Sequence, residues 1–309
     1  MKVCILLAAY NGAAYIRQQI DSILQQDYPN IQLVLSDDGS KDGTQEILAE
    51  YEAKYPDRVI WHQSGKRFGK AQTHFMHLLR TFHDADYIMF SDQDDVWHPD
   101  KVRKTLQKMR EIEKDTSVPA LVHTDLRVVD RELNVIAPSF CKYSNINGNR
   151  LKLNQLLVQN VVTGCTVMIN QKLAELSCAE LTEDAIIMHD WWIALLAAAC
   201  GAIGFLNEAT IDYRQHGNNS VGAKNVRSLR YLWSKFKDNS ILASMQMTFR
   251  QARSFEECYS AVLTDEIRKI ILAYAELERK NAVVRKWIYL KYGFWKFGTL
   301  RKLGQFVRG

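Results

Sequence analysis

The strongest constraint on this chain is an alternation that begins at its third residue. Val3 to Ala9 is a continuous apolar run, the pattern of a strand buried on both faces. Ala13 to Gln26 follows with Ile16, Ile20, Ile23 and Leu24 at helical spacing. Ile31 to Leu35, Arg58 to His62, Tyr87 to Phe90 and Ala120 to His123 read as four further strands. Thr44 to Lys54, Ala71 to Phe82, and a stretch from Pro99 to about Lys114 read as the helices between them, with Pro99 in a first turn. Strands separated by helices of this length do not pair as hairpins. They predict an α/β fold with a mainly parallel central sheet flanked by helices.

The pattern weakens after Asp130. "RELNVIAPSF" reads as an antiparallel excursion, and Val161 to Ile169 as a β-branched run broken by Gly164. Asp190 to Cys200 reads as a helix, with short strands at Ile203 to Leu206 and Thr210 to Arg214. From about Lys224 the spacing is mostly helical. Two parts follow, a first domain over 1–222 and a helical, basic C-terminal extension over 223–309. With 47% apolar residues and 5 prolines in 309, the chain can bury a large core with little disorder.

In an open parallel sheet, ligands bind beyond the carboxyl ends of the strands. The first strand delivers Ala9, Tyr10, Asn11 and Gly12 there, the second Asp37 and Asp38, and the fourth Asp92, Gln93, Asp94 and Asp95. Neither a G-x-G-x-x-G turn nor a P-loop follows the first strand, so no glycine cradle holds a phosphate. Clustered carboxylates repel phosphates unless a hard cation bridges them. Mg²⁺ and Mn²⁺ commonly use one or two carboxylates together with substrate phosphates. Asp92 and Asp94 can share one site, one on a sugar hydroxyl and the other on the metal. Asp95 and Asp100 have an ordinary use as turn or capping residues before the next helix.

"LLAAYNG", "LVLSDDGSKDGT", "YIMFSDQDDVWHPDK", "NVVTGCTVMIN", "MHDWWIALLAAACG" and "YRQHGNNSVG" occur in that order. Together they resemble the family 2 glycosyltransferases with their GT-A fold, above all bacterial rhamnosyltransferase-like members, over residues 1–222. The resemblance implies a transfer that inverts the anomeric centre, from a nucleoside-diphosphate sugar (dTDP-rhamnose or a UDP-hexose) to a glycan hydroxyl. It implies donor contacts at Ala9, Tyr10, Asn11, Asp37, Asp92 and Gln93, with Asp92 near the ribose. Asp94 would hold Mn²⁺ or Mg²⁺, and Asp190 would be the catalytic base. Arg67 and Lys70 would meet the diphosphate, or are surface cations. His216 would be a metal ligand or a diphosphate contact, or a surface histidine. Gly164, Trp191 and Trp192 would face the acceptor, although at least one tryptophan suits a core. Asp190 also suits an N-cap, and His189 is a second candidate base. The chemistry needs two acidic centres: a base for a weakly nucleophilic hydroxyl, and a cation site for the departing diphosphate.

Charge is unevenly spread. Residues 279–309 hold nine basic side chains and no acidic one, within a chain of net charge +5, which leaves about −4 on the rest. This tail also carries Trp287, Tyr289, Tyr292, Phe294, Trp295 and Phe297. Such a segment suits the surface of a membrane; the alternative is packing on the chain's own body or on a second copy in a homo-oligomer. An acidic body without a nucleic-acid motif argues against nucleic acid as a partner. Six cysteines without C-x-x-C spacing, and no signal-peptide pattern after Met1, fit a cytoplasmic protein. The expectation is a peripheral enzyme on the inner face of the cell membrane, acting on a lipid-linked glycan in surface polysaccharide synthesis. Rival readings are a non-catalytic carbohydrate- or nucleotide-binding module, and a sugar nucleotidyltransferase, which would need a Gly-rich basic loop where "AAYNGAAY" stands.

Overall fold

The computed structural model describes residues 1–179, 186–216 and 240–308. The expected boundary at 222, the "GNNSVG" end of the last motif and the helical start near Lys224 lie outside these residues.

The chain begins β1 (Val3–Ala9), α1 (Ile16–Leu24), β2 (Ile31–Asp37), α2 (Thr44–Lys54), β3 (Val59–His62), α3 (Ala71–Thr81) and β4 (Tyr87–Ser91). β5 (Val96–Trp97), α4 (Lys101–Ile112), β6 (Ala120–Val129) and β7 (Val135–Ala137) follow. Then come α5 (Phe140–Tyr143), α6 (Leu153–Leu156), β8 (Met168–Asn170), α7 (Gln171–Ser177), α8 (His189–Cys200) and β9 (Ala202–Arg214). Four helices complete the described chain: α9 (Ser240–Tyr259), α10 (Asp265–Ala275), α11 (Ala282–Tyr292) and α12 (Thr299–Arg308).

The strands form one nine-stranded sheet in the order β3-β2-β1-β4-β8-β6-β9-β5, with β7 hydrogen-bonded to β6. β1 pairs in parallel with β2 and β4, and β2 with β3. β8 is antiparallel to β4 and β6, while β6 and β9 run parallel. The carboxyl ends of β1, β2 and β4 therefore meet along one edge, as the alternation requires. The doubly buried character of β1 is visible residue by residue. Val3, Ile5 and Leu7 enter the core beneath α1, α2 and α4, whereas Cys4 and Leu6 enter the core shared with α3, α8 and the C-terminal helices. Each such fully buried aliphatic side chain stabilises the fold by about 1.5–3 kcal/mol.

Several expectations change. β6 runs to Val129, well beyond His123, because β9 pairs with it along its length. The two short strands expected at 203–206 and 210–214 are one strand, β9, bent where its register against β6 shifts at Thr124 and Asp125. Val96 and Trp97 pair with Asp212 and Ile211, a strand too short to leave a periodic signal. Pro99 precedes α4 rather than occupying its first turn. Gly164 falls in a 3₁₀ turn, Gly164–Thr166, and only Met168–Asn170 of that run is strand. All six cysteines are free thiols.

Candidate active site

A cleft of about 590 Å³ opens at the carboxyl ends of β1, β2 and β4. Its walls include Ala9, Tyr10, Arg67, Lys70, Asp92, Gln93, Asp94, Gly164 and Asp190, nine of the residues singled out from sequence. The acid-bearing tip of β4, the tip of β1 and the start of α8 thus converge on one space, although they lie up to 180 residues apart.

Gln93 locks two strand ends together. Its Oε1 accepts from Tyr10 N at 2.7 Å, and its Nε2 donates to Tyr10 O at 2.9 Å. Gly12 is required beside this clamp, since a Cβ there would sit 2.3 Å from Gln93 Oε1. Asn11, at φ +50, laces the same tip to the next loop: its N–H donates to Ser40 Oγ at 2.7 Å, and its Oδ1 accepts from Lys41 N at 3.0 Å. Asn11 is outside the cleft wall.

Asp37 and Asp38 divide the work expected of Asp37. The Asp37 carboxylate accepts from Gly39 N at 3.0 Å, Ser40 N at 2.8 Å, Gln45 Nε2 at 2.7 Å and the Ser40 hydroxyl, so it shapes its own loop. Asp38 is the one in the cleft wall. It accepts from the N–H of Phe68 and from Gly69 N at 2.7 Å, which fixes the loop carrying Arg67 and Lys70. Phe68 stacks on His74, 4.7 Å between centroids, and the His74 ring meets Ser36 Oγ at 2.8 Å. From that loop Arg67 donates to Tyr10 Oη at 3.0 Å and lies 5.4 Å from the ring centroid. Gly69, Lys70 and Ala71 bring the N-terminus of α3 to the cleft, a favourable place for an anion.

The carboxylates at the β4 tip are closely packed. Burial first, then the neighbouring Asp94 and then Asp190, push the Asp92 carboxyl upward. Asp94 is nearly buried and meets His216 Nε2 at 2.6 Å, while the His216 ring stacks on Tyr15 at 4.9 Å. His216 is therefore held to the site rather than loose on the surface. Asp95, expected only to shape a turn, is fully buried. Its Oδ1 accepts from Arg214 N at 3.2 Å, and burial, then Asp94 and Asp92, hold its carboxyl far above the ordinary range. Arg214 closes the site from behind, donating from Nε to Asp94 O at 2.9 Å and from Nη2 to Gln18 Oε1 at 2.6 Å.

These groups suit a hard divalent cation. Among the described residues, ligand atoms of Asp92, Asp95 and Cys165 lie within 4.8 Å of one another. Cys165 is the poor member of that set, because burial and the adjacent Asp95 keep its thiol protonated, and the thiolate is the ligand form. The other two offer carboxylate oxygens, and Asp94 with the His216 imidazole stands beside them at the same strand tip; oxygen donors of this kind match Mg²⁺ or Mn²⁺.

Asp190 sits in the first turn of α8, after the helix's cap position at Met188. Its Oδ1 accepts from Trp191 N at 2.5 Å and Asn160 Nδ2 at 3.2 Å, and Gly164 N–H also reaches the carboxylate. Burial outweighs those bonds and pushes its carboxyl up to about 6. Gly164 permits this packing: a Cβ there would lie 2.8 Å from His189 Nε2 and 3.6 Å from Asp190 Oδ2. His189 is a worse base than the sequence allowed. Its ring lies 4.4 Å from Phe75 and 5.2 Å from Phe90, and burial pushes it down to about 3. Neither of its ring nitrogens has a hydrogen-bond partner among the described residues.

The tryptophans require a correction. Trp192 is fully buried against Phe255 and Tyr259, and its indole donates to Tyr259 Oη at 3.2 Å, so it cannot touch an acceptor. Trp191 is half-buried, donates to Leu156 O at 2.7 Å and is absent from the cleft wall. Asp38, Asn160, Asp95 and Arg214 were missed as site residues. For Asp38 a signal existed, since alternation along β2 puts only one of two adjacent aspartates on each side. The others acquire their place only through contacts between distant segments.

The sequence profile described as "Glycosyl transferase family 2" matches residues 4–176. The chain belongs to glycosyl transferase family 2. Among curated relatives of this glycosyltransferase is the dTDP-rhamnosyl transferase RfbG of Shigella flexneri, 29% identical over 226 residues, 70% of this chain and 74% of that protein. Another is the putative teichuronic acid biosynthesis glycosyltransferase TuaG of Bacillus subtilis (strain 168), 27% identical over 251 residues, 80% of this chain and 92% of that protein. The fold resembles S. aureus TarS 1-349 in complex with UDP, with TM-score 0.57 and 14% identity over 96% of this chain and 93% of that one. It also resembles mannosyltransferase PcManGT from Pyrobaculum calidifontis in complex with GDP-Man and Mn²⁺, with TM-score 0.56 and 17% identity over 100% and 79%. The glycosyltransferase is an α/β protein of GT-A type with a helical C-terminal region, and one of its curated relatives carries a teichuronic acid biosynthesis name.

Proposed function

We propose that this glycosyltransferase moves a sugar from a nucleoside-diphosphate donor, dTDP-rhamnose or a UDP-hexose, to a glycan hydroxyl with inversion at the anomeric carbon. The observation that carries the reading is the meeting of two acidic centres in one cleft. Asp92 and Asp94 lie at the β4 tip and Asp190 lies at the start of α8. A single-displacement transfer needs a base on the nucleophile's side and charge neutralisation on the leaving group's side, and the two centres supply one role each. Asp190, accepting three hydrogen bonds and still raised to about 6, is ionised at neutral pH yet basic enough to take a hydroxyl proton. Tyr10, clamped by Gln93 and backed by Arg67, offers a rigid aromatic face to the nucleoside. Asp92 would hold the ribose. Lys70, Arg67 and the N-terminus of α3 would meet the diphosphate.

Asp94, with His216 behind it, would hold Mn²⁺ or Mg²⁺, which when bound offsets the charge of the departing diphosphate. The dTDP-rhamnosyl transferase name of one relative and the teichuronic acid name of another support a rhamnosyl or hexosyl donor and a surface polysaccharide product. A lipid-linked acceptor would place the reaction at the inner face of the cell membrane. A binding module has no use for a buried, hydrogen-bonded base facing the donor carboxylates. A panel of donors, with release of nucleoside diphosphate followed with and without Mn²⁺ or Mg²⁺, tests the reading. We expect acceptor-dependent, metal-dependent release from one dTDP- or UDP-sugar. No release from any donor in the presence of bacterial surface-glycan acceptors would contradict it.

A further inference from the structure

The helices α11 and α12 each bury one face and present another. Tyr289 and Phe294 are fully buried in the core shared with α8 to α10. Asn154 Nδ2 donates to Tyr292 O at 2.7 Å, and Gln159 Oε1 accepts from Phe297 N at 2.8 Å. Arg301 donates to Asn145 O at 2.6 Å and Ser144 O at 3.0 Å. The tail is thus fastened to residues 144–159. That segment continues directly into Asn160, which bonds Asp190, and into Val161 to Gly164 of the cleft wall.

The outer faces are apolar and basic. Val283, Trp287 and Leu290, spaced as one helical face, are 79%, 58% and 69% exposed; Leu300, Leu303 and Val307 are 54%, 55% and 71% exposed. Lys291 lies 4.7 Å over the Trp287 ring, and Lys286 lies 4.6 Å over Phe306, where the two helices adjoin. Rows of large apolar side chains in water mark a surface made to be covered. Charge says by what. With nine basic residues and no acidic one in 279–309, the same face of a second copy would bring like charge onto like. A bilayer rich in anionic lipid supplies negative charge and an apolar layer together. The lysines can lay their stems over the aromatic rings and keep their ammonium groups at headgroup level.

We propose that α11 and α12 dock on an anionic lipid bilayer, their apolar rows at the headgroup–acyl boundary, which holds the Asn160–Gly164 wall of the cleft at that surface. Docking itself needs neither donor nor acceptor; only its use rests on the glycosyl-transfer reading. The full-length protein is sedimented with vesicles of phosphatidylglycerol and phosphatidylcholine, and with phosphatidylcholine alone. The expected result is binding to the anionic vesicles only, weakened by salt. Leu290→Glu with Leu303→Glu should lower partitioning about a hundredfold, and Lys286→Gln with Lys291→Gln more than about tenfold. Transfer to a water-soluble acceptor should be unchanged in the leucine variant. Equal sedimentation with both vesicle types, or none with either, overturns the proposal. So does a dimer that forms in solution and is lost in the leucine variant. Vesicle binding without any transfer activity would instead sink the proposed function and leave the docking intact.

Discussion

Replacing Asp190 with Asn separates what this carboxyl does for the reaction from what it costs the fold. Burial raises it from 3.8 to about 6, against the opposing bonds from Trp191, Gly164 and Asn160. That difference corresponds to about 3 kcal/mol held against the ionised form in the folded chain. The folded chain binds the proton more tightly than the unfolded one. Stability from this group is therefore present below about pH 4, the ordinary carboxylate range, and lost as pH rises through about 6. Asn is the same shape and cannot ionise, so it avoids the loss. It can keep the Oδ1 bonds, but its amide nitrogen opposes an N–H donor on the other side, at a cost of about 1–2 kcal/mol. Asp190→Asn should then be about 1–2 kcal/mol more stable than the wild type at pH 8, and no more stable at pH 4. Activity should fall about 10²–10⁴-fold. The acid limb expected near pH 6 in the wild-type kcat/KM profile should disappear with it. Urea unfolding at the two pH values, beside nucleoside-diphosphate release, reads all of this. A variant that transfers at the wild-type rate, or that loses stability equally at both pH values, would refute the reasoning.

Three other substitutions probe separate parts of the site. Gly12→Ala forces a Cβ to within 2.3 Å of Gln93 Oε1 and should break the clamp on Tyr10; donor KM should rise about tenfold or more, and adding Gln93→Ala should relieve the clash without restoring the wild-type KM. His216→Ala removes the partner of Asp94 at 2.6 Å; the metal concentration giving half-maximal rate should rise about 10–100-fold, and an unchanged metal titration would remove His216 from the site. Trp192→Ala empties a fully buried position and should cost about 3–5 kcal/mol of stability while leaving acceptor KM unchanged in the folded fraction; an acceptor KM effect with normal stability would return Trp192 to the acceptor.

The first half of the fold was legible because its strands are buried on both faces, and continuous apolar runs such as Val3 to Ala9 announce this locally. The sites at the strand ends were legible for the same reason, since parallel strands must deliver Tyr10, Asp92 and Asp94 to one edge. What stayed hidden depends on partners far along the chain. Val96 and Trp97 are a strand only because β9 lies beside them. Asp95 looks like a turn residue until Arg214, 119 residues later, covers it. Trp191 and Trp192 look like sugar-stacking residues, but α9 fills the space over Trp192 with Phe255 and Tyr259. In the tail, aromatic composition alone did not separate the buried Tyr289 and Phe294 from the exposed Trp287.

The central claim is that Asp190 and the β4 carboxylates act from separate positions in a single displacement. The anomeric configuration of the first-formed product, read by NMR from the reaction of a donor of known configuration, tests it most directly. Inversion is the predicted result. A product with the donor's configuration retained would contradict the account, because a single displacement from the face opposite the departing diphosphate must invert the anomeric carbon.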